Sequence, residues 1–123
     1  MKLNLSQPLL DHDGVIMRRI DPPIRQGDLP KDLGELLLSH ALFAAVNSTF
    51  RDEQIAPDEL YKRGRLAKKV KDTGEKNFSS EEIQLMLSSV AKRYGQPGQG
   101  DPLFVLKVSE ILDPDKFKTE GAA

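Results

Sequence analysis

The sequence predicts a mainly helical α+β fold, with a short N-terminal β-hairpin followed by three or four packed helices. Leu3 and Leu5 alternate with polar residues ahead of a turn, as in a half-buried strand. Farther along, apolar residues recur at helical spacing, and residues suited to helix caps precede several of these stretches. The combination favours one hairpin packed against a helical body.

We expect one small domain and a short tail. The expected divisions are the domain at 1–114, with a hairpin at 1–19, a connector at 20–31 and a helical body at 32–114, followed by a loose tail at 115–123.

Composition indicates a globular protein that acts through local contacts. The 123 residues are 38% hydrophobic and 30% charged, which suits a single domain. Because 18 Lys+Arg balance 19 Asp+Glu, no overall field attracts the molecule to nucleic acid or to an anionic membrane. The absence of cysteine excludes disulfides, thiolate metal sites and cysteine nucleophiles.

The expected location is the cytoplasm. A chain without cysteine suits a reducing compartment. The N-terminus lacks a charged segment followed by an apolar run, and no window approaches the roughly 18 apolar residues of a membrane span. We therefore expect no membrane contact.

The hairpin is predicted from Leu3 and Leu5, a turn at Asp13-Gly14 and a return strand at Val15-Ile16-Met17. These strands could pair with each other or with the sheet edge of another chain. The connector that follows contains three prolines and a glycine, which exclude a helix or a central strand, although Ile24 could be locally extended.

The first helix is predicted at 33–46, with Asp32 and Glu35 as a capping box. It is apolar nearly all round, which is typical of a central helix or of one that docks a partner. For docking, the expected apolar interface consists of six leucine and valine residues, drawn from this helix and from later helices: Leu38, Leu42, Val46, Leu85, Leu103 and Leu106.

The second helix is predicted to start at Pro57 and to end near Lys71, because proline suits a first helical turn. Gly64 lies in its middle and costs about 1 kcal/mol relative to alanine. That cost suggests either the close approach of a neighbouring backbone or local mobility.

The third helix has the clearest start signal. Ser79 and Glu82 form a capping box, Phe78 is placed to pack on Ile83, and Gly95 can close the helix in a left-handed conformation.

A fourth helix is predicted from Asp101-Pro102 to Leu112, ahead of Pro114. The run 103–106 would also fit a buried strand, but Phe104 and Val108 keep helical spacing.

Candidate chemistry is sparse, and we expect no catalytic, metal or cofactor site. Asp11-His12-Asp13-Gly14 contains metal-ligand types without the full pattern of a calcium loop, so a turn is favoured. His40 could act as a base, but a core or interface role is favoured because no nucleophile motif accompanies it. Binding rather than catalysis is therefore expected.

The second helix also carries a basic cluster. Its possible contacts to a partner or to phosphate groups are Lys62, Arg65, Lys68 and Lys69. Asp58 and Glu59 can pair with basic residues one turn later, so a solvated face is favoured over a nucleic-acid site. A nucleic-acid-binding regulator remains the alternative function.

Five segments in order carry a family resemblance: Lys2-Leu3-Asn4-Leu5 to Pro8-Leu9, Asp11-His12-Asp13-Gly14, Leu33-Gly34-Glu35-Leu36-Leu37, Asp58-Glu59-Leu60-Tyr61-Lys62-Arg63 and Ser79-Ser80-Glu81-Glu82-Ile83. Their order resembles a group of small tailed-bacteriophage accessory proteins, mostly uncharacterised, with a hairpin opening and a helical body. The opening through Arg25-Gln26-Gly27-Asp28-Leu29 is also similar to phage tail assembly chaperones, which bind the tape-measure protein.

The resemblance implies a phage-encoded protein–protein interaction module, such as an assembly chaperone or a host-factor binder. Its implied partner is a phage structural protein or a host protein, and its implied location is the cytoplasm of the host bacterium. A homo-oligomer is a further possibility. The resemblance assigns no site residues.

Overall fold

The fold is mainly helical α+β, as predicted. A computed structural model describes residues 1–21, 23, 25–49, 53–98 and 100–117. Within these ranges the chain forms four helices and two small antiparallel sheets of two strands each. None of the helices in the described ranges has the length and apolar character needed to cross a bilayer.

The elements in chain order are β1 (Lys2–Asn4), β2 (Arg18–Asp21), β3 (Lys31–Glu35), α1 (Leu38–Val46), α2 (Pro57–Lys71), β4 (Glu75–Asn77), α3 (Ser80–Tyr94) and α4 (Pro102–Leu112).

The first strand pairs with a distant part of the same chain. β1 runs antiparallel to β4, with Leu3 opposite Lys76, and the Leu5 N–H donates to the Gly74 carbonyl at 2.8 Å. The predicted pairing of Leu3 and Leu5 with 15–17 is therefore wrong. Both leucines are buried, so the strand is held where its apolar side chains reach the core.

The predicted turn at Asp13-Gly14 is confirmed. Asp11 Oδ1 accepts from the Asp13 N–H at 2.9 Å and from the Val15 N–H at 3.0 Å, and Gly14 has a φ of 79°. The turn brings Leu10 and Ile16 together in an isolated β-bridge. This local hairpin lies beside β1 in sequence without including it.

β2 and β3 form a two-stranded unit that we call the β-ribbon. Arg18 lies opposite Glu35 and Ile20 opposite Asp32, with a bulge between these pairs. Gly34 allows the bulge because its φ is +102°, outside the range of a right-handed helix. The Gly34 N–H donates to Asp32 Oδ1 at 2.9 Å.

The β-ribbon corrects two predictions. The first helix begins at Leu38 rather than at residue 33, because Asp32 bonds to Gly34 and to Arg18 Nε (2.7 Å) instead of capping a helix. The connector at 20–31 is also shorter than predicted, since Ile20 belongs to β2 and Lys31 to β3. The predicted extended residue Ile24 lies outside the described residues.

α1 is the central helix. It packs against both α2 and α3, and α3 also packs against α4. The N-terminal segment supplies carbonyls to its first turn: the Leu38 N–H donates to Gln7 at 2.9 Å and the Ser39 N–H to Leu5 at 3.0 Å. These bonds satisfy donors that a helix start leaves without an internal partner.

The other three helices begin where predicted. α2 starts at Pro57, and the Ser79–Glu82 capping box of α3 is present in both directions. Asp101 caps α4 by accepting from the Phe104 N–H at 3.1 Å, so 103–106 is helical rather than a strand.

Two glycines differ from expectation. Gly95 closes α3 with a φ of −110° rather than in the left-handed conformation. A side chain there would collide with the Ala91 carbonyl oxygen, so close packing of the chain explains the glycine. At Gly64, by contrast, an added Cβ would meet no described atom within 4 Å, so the suggested close approach of a backbone is wrong.

One cluster of buried side chains joins the N-terminal segment to all four helices. Phe117 packs against this cluster, and its N–H donates to the Asp113 carbonyl at 3.2 Å, so the described start of the predicted tail forms a turn. The rest of that tail, 118–123, lies outside the described residues.

Candidate functional site

Half of the predicted apolar interface is core. Leu38, Leu42 and Val46 are fully buried, which contradicts their assignment to a partner surface. They are covered because α1 lies between α2 and α3, with Leu3 and Leu5 in the same cluster. The apolar side chains of this helix are therefore buried against other elements of the same chain.

The other half of that interface is accessible. Leu103 and Leu106 of α4 are exposed, while Leu85 of α3 is half-buried against the core. On the opposite side of α4, Phe104 and Val108 are buried in the core. Exposed leucines are ordinary on protein surfaces, so these two indicate a binding surface only together with a second feature, such as an unpaired strand edge.

The β-ribbon is a candidate surface that the sequence reasoning missed. Ile20 is 55% exposed and Leu33 is 42% exposed, one on each strand. Sequence reasoning assigned Leu33 to a helix and Ile20 to a connector. The available signal was Gly34, which disfavours a helical first turn and is common at bulges.

Contacts of the β-ribbon are mainly internal. The two strands pack on each other, and no other element among the described residues makes comparably extensive contact with either strand. Each strand also keeps one edge without a strand partner in the described ranges. Such edges offer backbone N–H and C=O groups to an incoming chain.

The basic face of α2 is partly neutralised by α3. Lys62 Nζ lies 2.9 Å from Glu81 Oε1, and this carboxylate raises the pKa of Lys62. Lys69 Nζ lies 3.1 Å from Glu82 Oε1 and 4.3 Å from the centre of the Phe78 ring. An open cleft of about 290 Å³ lies between these paired residues.

Glu82 has two roles in this arrangement. Burial alone would raise the pKa of Glu82, but the hydrogen bond from the Ser79 N–H and the Lys69 ammonium lower it below the usual value. The carboxylate is thus held in its charged form by the helix cap and by α2.

Arg65 and Lys68 remain exposed and form no ion pair with a described residue. Arg63 is buried, and its Nη2 lies 3.2 Å from Glu53 Oε2 and 3.5 Å from Glu59 Oε1. The first of these ion pairs connects α2 to the loop that precedes it. The predicted one-turn pairing is thus present for Glu59 and Arg63, whereas Lys62 pairs with α3.

The Asp11-His12-Asp13 segment is a surface turn. Within the described part of the chain, no group of three or more His, Asp or Glu side chains is placed to hold a metal ion. The pKa of Asp11 lies below its ordinary value because the Val15 N–H donates to its carboxylate.

His40 lines an open cleft of about 430 Å³ between β2, α1 and α2, together with Arg19, Ser39, Phe43 and Lys71. His40 Nδ1 accepts from the Leu37 N–H at 3.0 Å. Burial, and then the charge of Arg19, lower the pKa of His40. The neutral ring therefore carries its proton on Nε2.

Comparisons of the chain with protein-family models, with curated proteins and with solved structures find no match. The described chain offers four candidate surfaces: the β-ribbon, the exposed leucines of α4, the basic face of α2 and the cleft at His40.

Proposed function

We propose that this protein acts by binding another protein, without catalysis, and that the β-ribbon is its main contact surface. The observation that carries the proposal is the exposure of Ile20 and Leu33 on a ribbon that packs mainly on itself. The resemblance to phage accessory proteins supports a phage structural protein or a host protein as the partner, with an assembly chaperone as one form of this role.

The energetics favour a partner on the β-ribbon. A hairpin of two strands is marginally stable without further packing. Covering the accessible halves of Ile20 and Leu33 would contribute about 2 kcal/mol together. A partner strand that adds to an open edge would also satisfy backbone groups now exposed to water.

The leucines of α4 provide a comparison surface. Leu103 and Leu106 are 41% and 38% exposed, close to the exposure of Leu33. They lie on a helix, whose backbone groups bond within the helix, so a partner would gain apolar contact there but no strand pairing. If apolar area alone determined binding, both surfaces would matter equally.

The test compares two double variants. Affinity purification from the native host, followed by mass spectrometry, identifies the partner, and binding is then measured with purified components. We expect Ile20→Ser with Leu33→Ser to weaken binding about tenfold or more, and Leu103→Ser with Leu106→Ser to leave it within about twofold.

Unchanged affinity of a folded β-ribbon variant would refute the assignment of the surface. A strictly monomeric protein that recovers no partner from the host would count against protein binding itself. Sedimentation of the purified chain also distinguishes a self-association partner from a foreign one.

A nucleic-acid-binding regulator is the second candidate, favoured by the exposure of Arg65 and Lys68 on one side of α2. Tyr61, 63% exposed, offers a ring for stacking on a base. The engagement of Lys62 and Lys69 by α3 weakens this candidate, because those charges are already balanced.

Salt dependence tests this alternative. Two phosphate contacts predict a slope of log K against log salt of about −2 on duplex DNA. Replacing Arg65 and Lys68 with alanine should abolish the binding, because these are the two basic residues of the cluster that α3 does not engage. If the chain binds neither duplex DNA nor single-stranded nucleic acid at low ionic strength, the nucleic-acid function is excluded.

A further inference from the structure

The cleft around His40 has the composition of an anion site. Two of its five lining residues, Arg19 and Lys71, are cationic, and none of the described lining residues is acidic. Neither cation forms an ion pair with another described residue. Two positive charges thus share a cleft without a counter-charge.

Arg19 is already held in position. Its Nη2 donates to the Leu33 carbonyl at 2.8 Å across the β-ribbon. Its Nε is buried and has no hydrogen-bond partner among the described residues. A guanidinium fixed at one nitrogen, with donors left over, is suited to an oxyanion.

Ser39 provides a second, independent observation. The residue is 1% exposed, it lines the cleft, and its Oγ has no partner in the described part of the chain. Ser89, equally buried in α3, donates to the carbonyl four residues back, Leu85, at 2.8 Å. Ser39 lies in the first turn of α1, where the residue four positions back, Glu35, belongs to β3.

The hydroxyl of Ser39 therefore lacks the partner that a helix normally supplies. A buried polar group left without a hydrogen bond is destabilising, and a bound acceptor would remove that cost. His40 adds another donor on the same helix, because its Nδ1 is occupied by the Leu37 N–H and its Nε2 carries the proton.

We propose that this cleft binds a phosphate group. Arg19 and Lys71 match the charge of about −1.5 to −2 on a phosphate monoester at neutral pH. His40 Nε2 and Ser39 Oγ donate to its oxygens. The cleft of about 430 Å³ falls in the range of small-molecule sites, and Phe43 offers an apolar wall for an organic substituent.

This site goes beyond the proposed protein-binding function, since it would join three elements. Arg19 belongs to β2, His40 to α1 and Lys71 to the end of α2. A phosphate held by all three would fasten the β-ribbon to the helical body.

The test uses inorganic phosphate and phenyl phosphate, with sodium chloride at matched ionic strength as control. The chain has two histidines, so the imidazole NMR signals of His40 report the site and those of His12, on the exposed turn, report bulk effects. We expect saturable shifts at His40 and an increase of its pKa, because a bound anion offsets the charges of Arg19 and Lys71.

Tighter binding of phenyl phosphate would assign a monoester packed on Phe43, and equal binding would assign free phosphate. Both results support the site. Equal shifts at His40 and His12, or no saturation through the millimolar range, would overturn it.

A matched pair of variants isolates the charge contribution. Lys71→Gln should reduce affinity about tenfold. Lys68→Gln removes another exposed charge from the same helix, outside the cleft lining, and should change affinity less than about twofold. Ser39→Ala should also weaken binding. If Lys71→Gln and Ser39→Ala both retain full affinity while folded, the proposal fails.

Discussion

The structure predicts whether replacing Gly64 with alanine stabilises or destabilises the protein. It lies in the interior of α2, is exposed to solvent, and an alanine Cβ at this position would meet no described atom within 4 Å. Glycine in a helix interior is about 0.8–1.0 kcal/mol less favourable than alanine. With no steric cost to subtract, Gly64→Ala should raise the free energy of unfolding by about 1 kcal/mol.

The assay is urea denaturation followed by circular dichroism, with thermal unfolding alongside. The midpoint should increase at unchanged slope, and the melting temperature should rise by about 4 °C for a chain of this size. A neutral or destabilising Gly64→Ala would refute the reasoning, because it would require a close contact at Gly64 that the described chain does not contain.

Gly34→Ala is the same substitution as Gly64→Ala at another glycine, but here we expect it to lower the free energy of unfolding. Gly34 also has open space around it, but its φ of +102° strains any side chain. The expected cost is about 1–2 kcal/mol, borne by the β-ribbon. Hydrogen exchange at the Leu36 amide, which donates to the Met17 carbonyl at 2.7 Å beside the β-ribbon, should therefore accelerate, whereas exchange in α3 should not. Equal exchange in the variant and the parent would contradict the assigned bulge.

Three further outcomes follow from the core, from a cap and from a histidine. Leu42→Ala should cost about 2–5 kcal/mol in urea unfolding, because Leu42 is fully buried in the central helix; a loss below about 1 kcal/mol would place it outside the core. Ser79→Ala should cost about 1 kcal/mol, since the Glu82 N–H loses its acceptor, and Ser80→Ala serves as its control. The folded-state pKa of His40 lies below 6.5, so the unfolded chain binds the extra proton and stability should fall as pH decreases below about 6.5. His40→Gln should flatten that dependence, and an unchanged pH profile would show that His40 is not its source.

Helix boundaries were predictable where one short segment carries the whole signal. The capping box of Ser79 and Glu82 involves residues three apart, and the start of α2 depends on Pro57. Such signals act within one turn and are independent of the rest of the fold. The same reasoning placed a cap at Asp32, where Gly34 and Arg18 engaged the carboxylate instead.

The candidate surfaces were harder to predict because the exposure of a side chain depends on the whole fold. Leu42 and Leu106 are both apolar residues of helices, yet one is central and the other faces solvent. Lys62 and Lys68 belong to the same basic cluster, but only Lys62 has Glu81 within reach. The partners that distinguish these residues come from other elements.

The local order of residues by itself determined the helical α+β class, the turn at Asp13-Gly14 and the starts of the last three helices. The class follows from the spacing of apolar residues, and the turn and the helix starts follow from residues within about one turn of each other. Tertiary packing alone decided that Leu3 pairs opposite Lys76, that α1 is enclosed, and that Arg19, His40 and Lys71 meet at one cleft. Those arrangements depend on where apolar side chains from distant segments can be buried together, and no short stretch of sequence contains that information.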